Sequence, residues 1–350
     1  MSSLRSVLRV LRPVALAALA AAFLVVPRIV PVYFVHLLIL TLVYGTMAMS
    51  LDLLMGYTGL VSFGHAAYFG VGGYTVGILA LRYGLPTLAA GVGGVLVAFV
   101  QALLFGLVAL RATAVYFLII TLALGMATWG LAYRWVSLTG GDNGLAGIPP
   151  PEVGLPWSLS DPTNLYYLIL GVVVLAALVL YRFVRSPFGL SLRGIRESES
   201  RMRVLGYNTW AHKYVAFVVA GTFSGLGGVL YVFYNGFVSP ADVHLTGSAE
   251  AVLMVLLGGS GTLFGPVIGA GVVVFLRNLV SAYTHRWLLI LGLVYVLTVL
   301  YAPRGILGAA QELWRRLERA VVREAEPRAE VRPIEEVAPQ QNPTGGEESV

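Results

Sequence analysis

Residues 30–54 read VPVYFVHLLILTLVYGTMAMSLDLL, in which Asp52 is the single charged side chain. A helix needs about 20 apolar residues to cross a hydrocarbon core of about 30 Å, so this segment is long enough to span a bilayer. The glycine-rich stretch GYTGLVSFG follows at residues 56–64 and separates the segment from a second apolar run. The fold is therefore expected to consist of membrane-crossing helices joined by glycine-rich breaks.

Apolar runs of this kind recur along most of the chain. Because they are continuous and interrupted only by Gly and Pro, they exclude a transmembrane barrel, whose strands alternate polar and apolar residues. The sequence predicts an all-α, polytopic transmembrane helical bundle. Candidate spans are residues 14–26, 30–54, 66–81, 87–110, 112–136, 165–185, 212–235, 249–257, 263–280 and 287–302. These ten spans become eight if the short segments at 14–26 and 249–257 are interfacial, re-entrant or fused with neighbours.

The composition supports a membrane protein and excludes several kinds of chemistry. Hydrophobic residues make up 58% and charged residues 11%, against about 45–50% and about 25% in a typical globular chain. The chain has no cysteine, which excludes thiol catalysis and Cys-ligated metal sites. Lys213 is the only lysine, and its surroundings exclude a phosphate-binding P-loop. The net charge of +6 reflects topology rather than nucleic-acid binding.

The placement of arginines predicts the orientation, because cytoplasmic loops carry the excess of Arg and Lys. With ten spans and the N-terminus inside, the inner face holds Arg5, Arg9, Arg12, Arg111, Arg182, Arg185, Arg193, Arg196, Arg201, Arg203 and Lys213. The outer face holds Arg28, Arg82, Arg134, Arg277 and Arg286. Both termini are therefore expected on the cytoplasmic side of a cell (inner) membrane. The alternative is that the N-terminal segment is a signal peptide, whose removal would place the new N-terminus outside.

The predicted organisation is a transmembrane domain at residues 1–302 and a charged tail at residues 303–350. A polar, proline-rich loop near residues 137–164 lies outside, and a charged loop near residues 186–211 lies inside. The tail is expected to be cytoplasmic. It begins with an amphipathic helix near residues 308–324 and continues as a Glu- and Pro-rich segment typical of disorder.

The glycine-rich stretch at residues 56–64 recurs in a similar form later in the chain, which makes a weak internal repeat. Residues 258–265 read GGSGTLFG and align with it when one gap is allowed. Broken helices near repeat interfaces line the substrate route in many transporters. We therefore predict a translocation pathway beside both stretches, with the candidate residues Gly56, Gly59, Ser62, Phe63, Gly64, His65, Tyr68, Gly258, Gly261, Phe264 and Gly265. The alternative is that these glycines only let helices pack closely.

Three ionisable residues in or beside the spans need an explanation. His65, named above as a pathway candidate, could instead form a hydrogen bond between two helices. Acids in a membrane are costly and usually partnered, so Asp52, near a predicted inner end, is expected to have a local partner. Glu250 follows Ser248 at an expected helix start, where its negative charge favours the helix N-terminus.

The inner loop contains the signals of a short helix. Ser198 is typical of an N-cap and Gly206 of a C-terminal stop, which leaves about two turns carrying both signs of charge. Such a helix suits docking into a cleft of another protein. A solvated loop that only binds anionic lipid is the alternative, but it explains the arginines without explaining the caps and acids.

Four stretches, taken in order, carry a resemblance to a known family. They are LLMGYTGLVSFGHAAYFG at 53–70, TGGDNGLAGIP at 139–149, SPFGLSLRGIRESESRMRVLG at 186–206 and SAEAVLMVLLGGSGTLFGP at 248–266. Over approximately residues 30–302, the chain resembles the membrane-spanning permease subunits of bacterial and archaeal ABC importers for branched-chain amino acids. The resemblance is to the longer of the two paired permeases.

The resemblance implies a transporter subunit with no catalytic residue, no metal and no cofactor of its own. Two related permeases would form the pathway, two ATP-binding subunits carrying ATP and Mg would dock on the inner loops, and a soluble binding protein would deliver substrate outside. Coupling residues that match the family pattern are Arg196, Glu197, Glu199 and Gly206. The outer-loop candidates for binding-protein contact are Gly140, Gly141, Asp142, Asn143 and Gly144.

The sequence departs from the family pattern in two places. The family usually has small residues where Ser200, Arg201, Met202 and Arg203 stand, which suggests a more acidic groove on the partner. The family commonly has Asn where Asp52 stands, so the added charge requires a local partner.

The expected function is transport of branched-chain or other small apolar amino acids by alternating access, driven by a separate ATPase subunit. One alternative is the same machinery carrying urea, short amides or another small polar solute. A second is an ATP-independent secondary carrier, which predicts ion-coupling acids deep in the spans, whereas Asp52 and Glu250 lie near predicted span ends. No metal-binding or paired-acid motif supports an intramembrane enzyme.

Overall fold

The computed structural model describes residues 23–112, 115–152, 159–284, 286–301, 305–309 and 312. Most of the predicted span at 14–26, part of the outer loop and nearly all of the tail lie outside the described residues. The predictions of a fully crossing first span, an amphipathic tail helix and a disordered end therefore stay predictions.

The described residues are almost entirely helical, as the sequence predicts. The helices are α1 Val32–Met55, α2 His65–Tyr83, α3 Thr87–Ala109, α4 Val115–Arg134, α5 Val136–Thr139, α6 Pro162–Arg185, α7 Pro187–Glu197, α8 Glu199–Val204, α9 Thr209–Asn235, α10 Leu245–Gly258, α11 Gly265–Ser281 and α12 Trp287–Tyr301, and residues 23–29 and 305–309 are also helical. Two 3-10 segments lie at Gly141–Asn143 and Pro240–Val243. Strands β1 Leu145–Ala146 and β2 Phe237–Val238 pair antiparallel, with Leu145 opposite Val238.

Five helices are long and apolar enough to cross a membrane, namely α1, α3, α4, α6 and α9. Helices α10, α11 and α12 are apolar but shorter. Apart from 14–26, each candidate span from the sequence has a helix at its position. The polytopic all-α bundle is confirmed.

Helix α1 lies at the centre of the bundle, where α6, α9, α10 and α11 all pack against it. Its apolar side chains match this burial, and its threonine and serine hydroxyls bond within the helix. Thr41 donates to the Leu37 carbonyl at 2.8 Å and Thr46 to the Leu42 carbonyl at 2.9 Å. Such internal bonds satisfy polar groups where no water is present.

Helix α6 shows how local sequence sets a boundary. Asp161 caps it by accepting from the Thr163 N–H at 2.8 Å, and Pro162 follows at the first helical position, where a missing N–H costs nothing. Arg182 and Arg185 occupy its last turn, where positive charge favours the helix C-terminus.

The bundle has two chemically distinct ends. The end with α7 and α8, called the arginine-rich end below, carries Arg182, Arg185, Arg193, Arg196, Arg201, Arg203 and Lys213. The opposite end carries the β1–β2 pair and the two 3-10 segments. Arg196 contacts both Gly56 and Gly261, so the glycine-rich stretches that follow α1 and α10 meet at the arginine-rich end.

Candidate functional site

A buried carboxylate joins the two glycine-rich stretches. Asp52, near the end of α1, is fully buried. Its Oδ1 accepts from the Gly261 N–H at 2.7 Å and its Oδ2 accepts from the Leu263 N–H at 3.0 Å. The local partner expected for Asp52 is therefore the backbone of the second stretch, 209 residues away in the sequence. We call this contact, made by residues 52–59 and 258–265, the glycine junction.

The two stretches match in backbone conformation as well as in sequence. Gly59 and Gly261, which align in the repeat, have φ values of +76° and +81°, a region that side chains disfavour. A Cβ on Gly56 would overlap the Gly261 backbone, and a Cβ on Gly258 would overlap the Gly265 carbonyl. The glycines thus serve both a backbone break and close packing.

Arg196, at the end of α7, reaches into the glycine junction. Its Nη1 donates to the Gly56 carbonyl oxygen. Its Cγ lies 3.2 Å from where a Cβ of Gly59 would be, and its Nη1 lies 3.4 Å from that position on Gly261. One guanidinium therefore contacts both stretches, which the sequence did not reveal.

The remaining candidates of the first stretch pack in the protein interior. The Phe63 N–H donates to Thr121 Oγ1 at 3.2 Å, and a Cβ on Gly64 would lie 2.7 Å from the Thr121 carbonyl. Ser62 Oγ lies 3.2 Å from His65 Nδ1, while His65 Nε2 has no hydrogen-bond partner among the described residues.

The ring of Tyr68 stands edge-on to His65 and Phe217. Phe264, from the second stretch, is partly exposed and its ring contacts Tyr181. None of the pathway candidates lines the cavity described below, so their part in translocation stays a prediction.

The short helix expected in the inner loop is present as α8. Ser198 accepts from the Arg201 N–H at 3.4 Å, and Gly206 follows the helix with a φ of +87°. A second helix, α7, precedes it and was not predicted. The signal was available in Ser186 and Pro187, because Ser186 caps α7 and Pro187 takes its first position.

Glu199 fastens α8 to the bundle. Its carboxylate accepts from Arg203 Nη2 at 2.6 Å and Thr209 Oγ1 at 3.1 Å, and it pairs with Lys213 Nζ. Burial alone would raise the pKa of Glu199, but hydrogen bonds from Lys213 and Arg203 outweigh burial and lower it. The attachment is therefore complete above the ordinary pKa of a glutamate and is lost only as the pH falls through the lowered value.

The C-terminal end of α8 exposes apolar side chains, beside the exposed Arg201 and Arg203. Val204 is 88% and Leu205 66% exposed. Tyr207 and Trp210, which follow in the chain, and Leu190 on α7 are also exposed. We call these five residues the apolar knob. Among the coupling candidates, Arg196 and Glu199 bond into the bundle, Gly206 ends α8 and Glu197 is exposed.

A cavity of about 560 Å³ lies toward the opposite end of the bundle. Its lining residues come from α1, α2, α4, α9, α10 and α11, the 3-10 segments and the chain between Pro240 and α10. They are Tyr44, Met47, Ala66, Phe69, Trp129, Tyr133, Asp142, Tyr231, Pro240, Ala241, Asp242, His244, Thr246, Gly247, Glu250 and Arg277. We call it the outer-loop cavity. This cavity was not predicted from the sequence.

The outer-loop cavity contains a partly buried ion pair. Glu250 Oε2 lies 3.3 Å from Arg277 Nη1, with side-chain exposures of 12% and 29%. Asp242 Oδ2 accepts from the Ser239 N–H at 2.8 Å. Burial raises the pKa of Asp242, although the hydrogen bonds from Ser239 lower it in part. Glu250 lies beyond the first turn of α10, so its partner is Arg277 rather than the helix terminus.

The candidates for contact with a binding protein form a tight turn at the opposite end. Gly140, Gly141 and Gly144 all have positive φ values. Asp142 and Asn143 are exposed, and Asp142 also lines the cavity. The turn leads into β1, so its position is fixed, but the contact itself stays a prediction.

We expect Asp52→Leu to destabilise the protein far more than Asp52→Asn. Leucine leaves the N–H groups of Gly261 and Leu263 without an acceptor, whereas asparagine still accepts one of them. Each unpaired buried donor costs about 1–3 kcal/mol. Thermal unfolding of the purified protein in detergent, followed by intrinsic fluorescence, measures the difference. Equal stability of the two variants would contradict the assigned role of Asp52.

A helical bundle with five helices long and apolar enough to cross a membrane defines a multi-pass membrane protein. The chain belongs to the family of branched-chain amino acid transport system permease components, whose profile matches residues 33–300. It is thus a transporter subunit of the ABC type rather than an enzyme.

Three relatives illustrate the similarity. The high-affinity branched-chain amino acid transport system permease protein LivM of Escherichia coli K12 is 31% identical, covering 84% of this chain and 74% of LivM. A probable LivM of Methanocaldococcus jannaschii is 23% identical over 75% of this chain and 90% of its own. The E. coli K12 permease LivH is 27% identical over 76% of this chain and 91% of LivH. No solved structure matches the chain.

Proposed function

We propose that this chain is the translocation subunit of an ATP-driven importer for branched-chain or other small apolar amino acids. It pairs with a sister permease, receives solute from an extracytoplasmic binding protein, and is driven by two ATP-binding subunits that carry ATP and Mg. The arginine-rich end faces the cytoplasm, as do both termini and the tail at residues 303–350. The transmembrane domain comprises residues 1–302.

The apolar knob is the single observation that carries the coupling part of the proposal. Val204 is 88% exposed at the end of α8, while Glu199 at the start of the helix bonds to Thr209 and Lys213 of α9. An exposed apolar patch rimmed by charges marks a protein-interaction site. The arginines around the knob, Arg201 among them, favour a partner groove with acidic edges.

A path for the power stroke runs from the knob to the glycine junction. α7 and α8 share Ser198 as the end of one helix and the cap of the next, so movement of α8 is transmitted to α7. Arg196 at the end of α7 contacts Gly56. We infer that ATP-driven displacement of the knob shifts the glycine junction, which opens or closes the arginine-rich end in an alternating-access cycle.

The solute is proposed from the names of the relatives and from the chemistry of the outer-loop cavity. The LivM and LivH proteins are named as branched-chain amino acid permeases. Urea or short amides on the same machinery remain the second candidate. A pathway for those neutral solutes does not need the charged pair Glu250–Arg277, which favours a charged or zwitterionic solute.

We expect Glu199→Arg to abolish stimulated ATP hydrolysis, because the reversed charge repels Lys213 and Arg203 and detaches α8 from the bundle. The control is Tyr283→Arg, which places the same positive charge on an exposed side chain at the opposite end of the bundle. Hydrolysis by the reconstituted complex, with and without solute-loaded binding protein, is the measurement. Normal stimulation of ATP hydrolysis in Glu199→Arg would contradict the proposed docking. An equal loss of stimulation in the control variant would contradict it as well.

A further inference from the structure

We propose that the outer-loop cavity is a zwitterion-binding site, in which Arg277 binds the solute's carboxylate and Asp242 with Glu250 binds its ammonium. The proposal rests on the proposed function. It places the solute at Arg277, Asp242 and Glu250, whereas the sequence predicted the pathway beside the two glycine-rich stretches. At about 560 Å³, the cavity falls within the ~300–1,000 Å³ range of small-molecule sites.

Arg277 has N–H donors that its ion pair with Glu250 does not use. Arg277 contacts Glu250 through Nη1 to Oε2 at 3.3 Å and hydrogen-bonds to Tyr44, which leaves several of the five N–H donors of its guanidinium unused. Its guanidinium also lies over the ring of Tyr44, with its carbon 5.5 Å from the centroid. A carboxylate that approaches from the cavity can therefore form the two parallel bonds that arginine favours.

The charges of the cavity favour a solute with both signs. The lining contains three carboxylates, Asp142, Asp242 and Glu250, against one arginine. A carboxylate without an ammonium would separate Arg277 from Glu250 and leave that acid uncompensated in a partly buried site. A zwitterion replaces both halves of the ion pair, because its ammonium compensates Glu250 while its carboxylate takes Arg277.

The other walls suit an apolar side chain. Met47, Phe69 and Trp129 line the cavity, and Ala66 with Gly247 line it where α2 and α10 meet. A Cβ on Gly247 would lie 3.4 Å from Ala66 Cβ, so the wall is smooth and closely packed there. Polar groups for the charged ends and apolar walls for the side chain are the usual pattern of a small-molecule site.

A single introduced cysteine tests the proposal, because the chain has none. Ala241→Cys places a thiol in the cavity lining, and its maleimide labelling is followed on this chain within the full transporter complex. Leucine at about ten times its dissociation constant leaves about a tenth of the sites free, so labelling is expected to slow about tenfold. The hydroxy acid with the leucine skeleton, which lacks the ammonium, and urea are expected to give no protection.

The controls separate binding from folding. Glu152→Cys, exposed at the opposite end outside the cavity, is expected to label at one rate with or without leucine. Adding Arg277→Gln to Ala241→Cys is expected to weaken protection about tenfold to a hundredfold, the range for a lost charge-assisted hydrogen bond. Arg277→Lys is expected to restore part of it.

Two results would overturn the inference. One is leucine failing to protect at millimolar concentration in a complex whose ATP-driven uptake is normal. The other is urea protecting as well as leucine. Absence of ATP-driven uptake in the unmodified complex would instead contradict the proposed function, so the two failures are distinguishable.

Discussion

Replacing Arg196 by glutamine should leave the ATP-binding subunits docked and hydrolysing while solute uptake falls about tenfold to a hundredfold. Arg196 donates to the Gly56 carbonyl and lies against Gly59 and Gly261. Glutamine is shorter and neutral, so it loses this charge-assisted bond, which is worth about 1.5–3 kcal/mol. Uptake and ATP hydrolysis measured in the same proteoliposomes give the result.

Arg196→Lys is the matched variant, because it keeps the charge but not the fork of donors. It should fall between the wild type and Arg196→Gln in uptake. If Arg196→Gln transports at the normal rate, the glycine junction does not receive the stroke through this residue. If hydrolysis and uptake are lost together, Arg196 acts in docking instead.

Replacing Leu205 by aspartate should detach the ATP-binding subunits. Leu205 is 66% exposed beside Val204 in the apolar knob, and aspartate would carry a charge into the partner's groove. Truncating a residue at the centre of an interface costs about 2–4 kcal/mol, which corresponds to roughly a thirtyfold to thousandfold loss of affinity. Co-purification of the ATP-binding subunits with the tagged permease measures the loss.

Tyr283→Asp supplies the control for that experiment. Tyr283 is 91% exposed after α11, at the opposite end of the bundle, so the same charge is placed far from the knob. Co-purification should be unchanged in this variant. Undiminished recovery of the subunits with Leu205→Asp would contradict the assignment of the knob.

The sequence predicted those features of the fold that depend on neighbouring residues. Apolar runs located every helix from α1 to α12 that is long enough to cross or nearly cross the bundle. Ser198 and Gly206 predicted the two ends of α8, because caps and stops act within one turn. The alignment of Gly59 with Gly261 predicted two equivalent breaks, and both residues adopt positive φ.

Contacts between distant parts of the chain could not be read in the same way. The bonds of Asp52 to Gly261 and of Arg196 to Gly56 span 209 and 140 residues, and no periodicity relates their positions. The resemblance therefore placed Arg196 among the coupling residues but could not show that its side chain bonds to Gly56 in the glycine junction. The sequence predicted that Asp52 has a partner, and the structure shows one. The sequence could not predict that the partner is the backbone of Gly261 and Leu263.

The outer-loop cavity was missed for a related reason. Glu250 and Arg277 lie 27 residues apart on two short helices, and Asp242 lies between spans. Each residue had an ordinary explanation when taken alone. A usable signal was the presence of an acid and a base on neighbouring helices at the same predicted membrane face, since charges in that position are usually paired.

The central claim is that the apolar knob lies on the inner surface and receives the stroke of an ATP-binding subunit. Leu205→Cys gives the protein a unique thiol at that point, and a thiol-reactive cross-linker applied to the assembled complex measures its neighbour directly. The account predicts a cross-link to the ATP-binding subunit whose yield changes when ATP binds, and labelling by an impermeant maleimide only from the cytoplasmic side. Labelling of the same thiol from the exterior would contradict it.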